Sequence, residues 1–318
     1  MSKPADHGPQ SAQAHVAVLM CVYHPAEEYL RQQLDSILNQ THRNLSIWVS
    51  DDGDDQVTRD VLAEYQGRLP VGRLSVVEGP RKGFAANFLS MVNRKEIEAD
   101  YYAFSDQDDI WEPQKLERAL DKLQGLARIG PALYGSRTRL IDEKGGEIGQ
   151  SPLFARPPSF RNALVQSMAG GNTMVFNRTA KELLSKAGML DVVSHDWWAY
   201  LLITGAGGEA IYDPDPWIRY RQHGGNLMGA NVSIWARLLR LRWLFQNRFR
   251  AWNVVNLSAL DEVRDLLTAE NRRVLELFVN ARKSGLVTRC ALLIKIGVYR
   301  QTRTGNMGLL LAAITNKL

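Results

Sequence analysis

At 318 residues, 45% of them apolar, the chain can hold one large or two modest domains and is too apolar to be disordered. Its two cysteines, Cys21 and Cys290, lie far apart in sequence, one inside an apolar strand pattern, which argues against a disulfide framework and fits a reducing, cytoplasmic compartment. A net charge of +5 is small enough that its distribution, not its size, decides between anionic partners.

Residues 1–14 are polar, with Pro4, Gly8 and Pro9 and no apolar core of the kind a signal peptide needs, so a disordered tail is expected. Residues 16–23 form a nearly continuous apolar run of strand length, broken by His24-Pro25. Residues 28–39 then carry Leu30, Leu34, Ile37 and Leu38 on one helical face. A second strand, 45–49, delivers Asp51-Asp52-Gly53-Asp54 and is followed by a helix marked by Val57, Val61, Leu62 and Tyr65. Residues 74–77 read as a third strand, 84–92 as a third helix and 101–105 as a fourth strand. Buried strands separated by helices predict an α/β fold with a mostly parallel, doubly wound sheet, in which ligands bind beyond the strand C-termini.

The fourth strand ends in Asp106-Gln107-Asp108-Asp109, closed by Ile110-Trp111. Three carboxylates in four positions at a buried strand end are costly unless something positive shares the space, and an Asp-x-Asp can hold a hard divalent cation that also carries a diphosphate. The same residues also suit a solvated turn or, with Pro113 behind them, a helix N-terminus. No Gly-rich dinucleotide fingerprint or Walker-type loop follows the first strand, so nicotinamide and P-loop chemistries lose ground.

Five blocks in order, Val18-Leu19-Met20-Cys21-Val22-Tyr23, Leu34-Asp35-Ser36-Ile37-Leu38-Asn39-Gln40-Thr41, Val49-Ser50-Asp51-Asp52-Gly53, Lys82-Gly83-Phe84-Ala85-Ala86-Asn87 and Ser105-Asp106-Gln107-Asp108-Asp109-Ile110-Trp111, resemble the N-terminal half of a family 2 glycosyltransferase of GT-A fold. Gly170-Gly171-Asn172-Thr173-Met174, Ser194-His195-Asp196-Trp197-Trp198 and Tyr220-Arg221-Gln222-His223-Gly224-Gly225-Asn226 are similar to its bacterial rhamnosyltransferase-like branch. The resemblance implies a catalytic domain over 15–228. It also implies an inverting, Mn²⁺- or Mg²⁺-dependent transfer from a dTDP- or UDP-sugar, such as dTDP-rhamnose, to a saccharide or lipid-linked acceptor in surface polysaccharide synthesis.

The resemblance places Tyr23, Asp51, Lys82, Asn87, Asp106, Asp108, Asp109 and Arg221 on the donor side, with Asp106 and Asp108 as the metal motif and Asp109 as an orienting neighbour; a neutral His223 imidazole can complete the metal shell or contact the diphosphate. Asp51 suits a pyrimidine N–H, and Arg221 a phosphate. Lys82 with Arg81 stands at a helix start, where backbone N–H groups and charge meet an anion, though both also suit a solvated surface. Asp196 is the candidate general base, and it opens an apolar helical stretch ending near Ile203. Trp197, Trp198 and Asn172 fall on the acceptor side, the indoles packing on a sugar face or shielding the base. Plainer readings stand beside these: Asp196 as N-cap, the tryptophans as core, His223 as a structural histidine, and the glycines before Asn172 as turn formers.

Beyond residue 228 a helical region is expected. Residues 234–255 interleave an apolar stripe with arginines and carry no acid, which suits either the surface of an anionic inner membrane or packing on the catalytic domain or a second subunit. Further helices are expected over 261–279 and 286–318, and no apolar run reaches membrane-spanning length. A sugar nucleotidyltransferase and a non-catalytic nucleotide- or glycan-binding module remain as alternatives. Nucleic acid is disfavoured because the basic residues concentrate after the catalytic blocks.

Overall fold

The computed structural model describes residues 14–126, 130–222 and 248–318. Strands β1 (Val16–Val22), β2 (Leu45–Asp51), β3 (Leu74–Glu78) and β4 (Tyr101–Ser105) alternate with helices α1 (Glu27–Leu38), α2 (Gln56–Arg68) and α3 (Phe84–Asn93). They pair in parallel in the order β3-β2-β1-β4, as the apolar runs predict. Every residue of β1 is buried, as a central parallel strand requires. Its alternate side chains enter two separate cores. Val16, Val18, Met20 and Val22 meet α1, α2 and α4 (Lys115–Gln124), whereas Ala17, Leu19 and Cys21 meet α3, α6 (Arg178–Ala187) and α7 (His195–Gly205).

Past β4 the sheet becomes mixed. The short β8 (Val175–Asn177) runs antiparallel to both β4 and β6 (Ala132–Ile141), and β6 also carries the antiparallel β7 (Glu147–Gln150). β9 (Glu209–Arg221) is parallel to β6, with register shifts opposite its Asp213-Pro214-Asp215-Pro216 segment. Its far end pairs antiparallel with β5 (Ile110–Trp111), Ile110 against Arg219 and Trp111 against Ile218. The acidic run between β4 and β5 is therefore strung from the centre of the sheet to its last strand.

The short helix α5 (Phe160–Ala163) and helices α8 (Arg248–Glu262), α9 (Ala269–Lys283), α10 (Leu286–Ile296) and α11 (Arg303–Ile314) complete the described chain. Phe249, Leu260, Leu275, Phe278 and Ala312 share one apolar core with α3, α6 and α7, so the C-terminal helices pack on the same side of the sheet as those three helices. Polar fasteners reinforce this docking. Asn162 Nδ2 donates to the Tyr299 carbonyl at 2.9 Å, and Asn271 Nδ2 donates to the Thr204 and Gly205 carbonyls at 3.0 Å, closing the C-terminus of α7. Most of the basic stripe expected over 234–255 lies outside the described residues. At its described end Phe249 is buried and the Trp252 ring stands edge-on to Trp197 at 6.3 Å, so there the stripe faces protein. Among the described residues no helix is long and apolar enough to cross a membrane, and both cysteines are free.

Candidate active site

Three strand ends, β1, β2 and β4, converge on one edge of the sheet. Tyr23, exposed beyond β1, is held by its backbone: Gln107 Oε1 accepts its N–H at 2.7 Å and Gln107 Nε2 donates to its carbonyl at 3.2 Å. At the end of β2, Asp51 Oδ1 accepts the Gly53 N–H at 2.9 Å. Burial pushes the Asp51 carboxyl up against that bond. Asp52 turns the other way and accepts the Arg81 N–H at 2.5 Å. A Cβ on Gly79 would stand 2.5 Å from Asp52 Oδ1, so only glycine lets this loop close. The closure leaves Lys82 exposed just before α3, whose N-cap Gly83 sits at φ +85°.

The acidic run divides by role. Asp109 is fully buried, its Oδ2 accepting from Asn172 Nδ2 at 2.6 Å and its Oδ1 from the Arg221 N–H at 3.1 Å. Burial pushes its carboxyl well up, and the charges of Asp108 and Asp106 add to the shift. Asp109 therefore braces the loop and does not touch a donor. Asp106 stands half-buried, its carboxyl pushed up to about 7 by burial and then by the charges of Asp108 and Asp196. Carboxylates from two elements thus repel one another in a half-buried space, the condition that a hard dication relieves. Among the described residues no three-ligand His, Cys, Asp and Glu cluster forms a metal cage. Asp106 and Asp108 supply two carboxylates, as fits an ion completed by water and phosphate oxygens. His223 lies outside the described residues.

Asp196 is the second residue of α7. Its Oδ1 accepts the Trp197 N–H at 2.7 Å, and its other oxygen has no partner among the described residues. Four expectations are corrected here. Trp197 and Trp198 are buried, with Trp197 Nε1 donating to the Ala163 carbonyl at 2.7 Å, so neither indole offers a face to a sugar. Asn172 is buried under Asp109 and belongs to the brace, not to an acceptor surface. Asn87 is buried with Nδ2 toward the Ser50 carbonyl at 3.4 Å, so it holds the end of β2 and presents no exposed group to a donor. Arg221 is only 1% exposed. Its guanidinium donates to the carbonyls of Asp108 (3.0 Å) and Glu143 (2.9 Å) and to Gln32 Oε1 (2.6 Å), and it lies 4.2 Å from the Tyr29 ring centroid. It fastens the acidic loop from behind and does not reach a phosphate.

Residues missed in sequence complete the support. Gln33 sits on the apolar stripe of α1, its Oε1 accepting from Ser105 Oγ at 2.8 Å and from Trp111 Nε1 at 3.0 Å while its Nε2 donates to the Asp109 carbonyl. Lys115, on the buried face of α4, places Nζ 3.5 Å from the centroid of Trp111, and burial lowers it to about 7 against the pull of Asp109. A polar residue inside an apolar stripe is the signal that would have found both.

His195 is buried beside the candidate base, stacked on Phe88 at 3.8 Å and edge-on to Phe104 at 4.8 Å. A Cβ on Gly171 would lie 2.3 Å from its Nε2, which explains the glycine. Burial lowers the imidazole to about 4, although the charge of Asp196 pulls the other way. The folded chain thus refuses a proton that the unfolded chain accepts near pH 6.5. This contribution to stability is complete above that value and is lost as pH falls toward 4, about 2 kcal/mol of it by pH 5. His195→Phe is expected to lose that much less stability than the native chain between neutral pH and pH 5, measured by urea midpoints; identical losses would contradict a neutral buried imidazole.

A family model described as glycosyl transferase family 2 matches residues 17–180. The dTDP-rhamnosyl transferase RfbG of Shigella flexneri is 28% identical over 226 residues, covering 68% of this chain and 75% of that protein. An uncharacterized glycosyltransferase, alr2836, of Nostoc sp. is 26% identical over 223 residues, 66% of each chain. The mannosyltransferase PcManGT from Pyrobaculum calidifontis, solved in complex with GDP-Man and Mn²⁺, matches over 99% of this chain and 89% of its own with a TM-score of 0.51 at 19% identity, a likeness of GT-A fold. The family model spans more than half of the residues, including every strand end that builds the acidic edge, and the chain belongs to glycosyl transferase family 2.

Proposed function

We propose that the chain is an inverting, divalent-metal-dependent transferase that moves a sugar, rhamnose in the first instance, from a dTDP-sugar to a hydroxyl of a saccharide or lipid-linked acceptor in bacterial surface polysaccharide synthesis. The observation that carries this is the convergence of Asp196, from the start of α7, on the Asp106–Asp108 loop at the end of β4, close enough for its charge to raise Asp106. The RfbG relative supports the dTDP-rhamnose donor and the PcManGT complex supports a divalent metal.

In this reading Asp51 accepts the N–H of the pyrimidine base, whose ring lies near Tyr23, and Lys82 meets the diphosphate at the start of α3. Asp106 and Asp108 hold Mn²⁺ or Mg²⁺, which when bound neutralises charge on the departing diphosphate. Asp196, fixed through Oδ1 by the Trp197 N–H, keeps its other oxygen for the acceptor proton. It takes that proton as the hydroxyl attacks the anomeric carbon from the face opposite the diphosphate. Buried Trp197 and Trp198 keep the floor beneath the base dry and rigid.

The test is thermal unfolding with dTDP, UDP, GDP and CDP, each with and without Mn²⁺. A nucleotide at a hundredfold excess over its Kd adds about 2.7 kcal/mol to the folded state. The expected result is a metal-dependent rise with dTDP that is lost in Asp106→Asn and Asp108→Asn. A response to none of the four would refute the donor site.

A further inference from the structure

From residue 277 to residue 318 the chain holds seven lysines and arginines and no aspartate or glutamate; all 34 acids lie earlier. Within this acid-free stretch, α10 and α11 are apolar on two sides. Their inner residues Ile296, Leu309, Ala312 and Ala313 are buried in the shared core. Their outer residues are apolar as well: Val287 is 83% exposed and Ile294 81% on α10, and Met307 71% and Leu310 57% on α11. Val287 and Ile294 stand seven residues apart on one face of α10, and Met307, Leu310 and Ile314 repeat the pattern on α11.

These outer stripes do not arise from fraying helices. The buried Arg289 of α10 donates through Nη1 to the Ala313 carbonyl of α11 and through Nη2 to the Ser284 carbonyl, both at 2.6 Å. The two helices are thus fastened together with their apolar faces outward. Exposed cations border the face: Lys283 lies one turn before Val287, Lys295 beside Ile294 and Arg303 one turn before Met307. None of these three has an ion-pair partner among the described residues.

We propose that the α10–α11 face docks on the surface of an anionic lipid bilayer. The exposed side chains enter the acyl boundary, while the long stems of Lys283, Lys295 and Arg303 carry their charges up to lipid phosphates. A second copy of the chain is a poorer occupant. A two-fold interface on this face would set one acid-free, cationic surface against itself. The docking names a partner for the enzyme proposed above, and its test reads binding without turnover.

The test is co-sedimentation of the full chain with vesicles of phosphatidylcholine, with and without phosphatidylglycerol, at low and high salt, alongside light scattering. Binding is expected only with phosphatidylglycerol, with release by salt. Ile294→Asp and Leu310→Asp, both on outward positions, are each expected to weaken partitioning at least about tenfold while the nucleotide-dependent thermal shift stays that of the native chain. Absence of binding, or binding unchanged in both variants, would overturn the proposal. So would a native dimer that Ile294→Asp converts to monomer without any lipid binding.

Discussion

Asp196→Asn is expected to lower glycosyl transfer by about 10²–10⁴-fold while the Mn²⁺-dependent stabilisation by dTDP survives. The amide keeps an oxygen for the Trp197 N–H, so the first turn of α7 is preserved, but it cannot take a proton from the acceptor. The substitution also removes one of the charges that raise Asp106. The variant should therefore unfold no more easily than the native chain, which separates a lost base from a lost fold. Product formation from donor and acceptor, followed beside thermal shifts with dTDP and Mn²⁺, reads both quantities. Turnover at the native rate would remove Asp196 from the reaction.

Arg221→Lys is expected to cost about 3–5 kcal/mol of stability, read from denaturant midpoints. At 1% exposure the guanidinium is the shared donor for the carbonyls of Asp108 and Glu143 and the amide of Gln32, acceptors drawn from three separate segments. An ammonium on a flexible stem cannot span that fork, and each orphaned acceptor bears its own desolvation cost. Arg219 gives the contrast. It pairs with Glu112 at 2.9 Å with its side chain 43% exposed, where solvent screens the pair, so Arg219→Lys should cost under about 1 kcal/mol. Equal losses in the two variants would show that burial does not set the strength of these contacts.

The stretch from β1 to β4 is legible in sequence because its strands are continuous apolar runs and its helices carry one apolar stripe each. The acidic run is legible because carboxylates at a buried strand end need an explanation. The middle of the chain is harder. β6 carries Arg137 and Arg139 on its solvent side, and β9 contains Asp213-Pro214-Asp215-Pro216, which reads as a break while the fold absorbs it at register shifts. The indoles of Trp197 and Trp198 suggest a sugar platform only while α7 is taken for a surface helix. Ala199 through Ile203 are buried as well, and a helix apolar all round belongs inside. Asn87, Asn172 and Arg221 mislead for a related reason. A polar side chain near a ligand cleft can face the ligand or brace the backbone that does, and spacing along the chain does not distinguish the two.

The brace on Asp109 has a consequence for synthesis. Its partners lie 63 residues downstream, at Asn172, and 112 residues downstream, at Arg221. The strand that delivers the acidic loop thus leaves the ribosome well before the residues that shape it, by roughly ten seconds at ordinary elongation rates. During that interval β1–β4 can form their parallel pairs but the acidic loop has no fixed shape. A nascent chain arrested before residue 221 should therefore hold folded β1–β4 structure and bind no sugar nucleotide, which makes the capacity to bind donor a late event, acquired only when the last strand has closed the sheet.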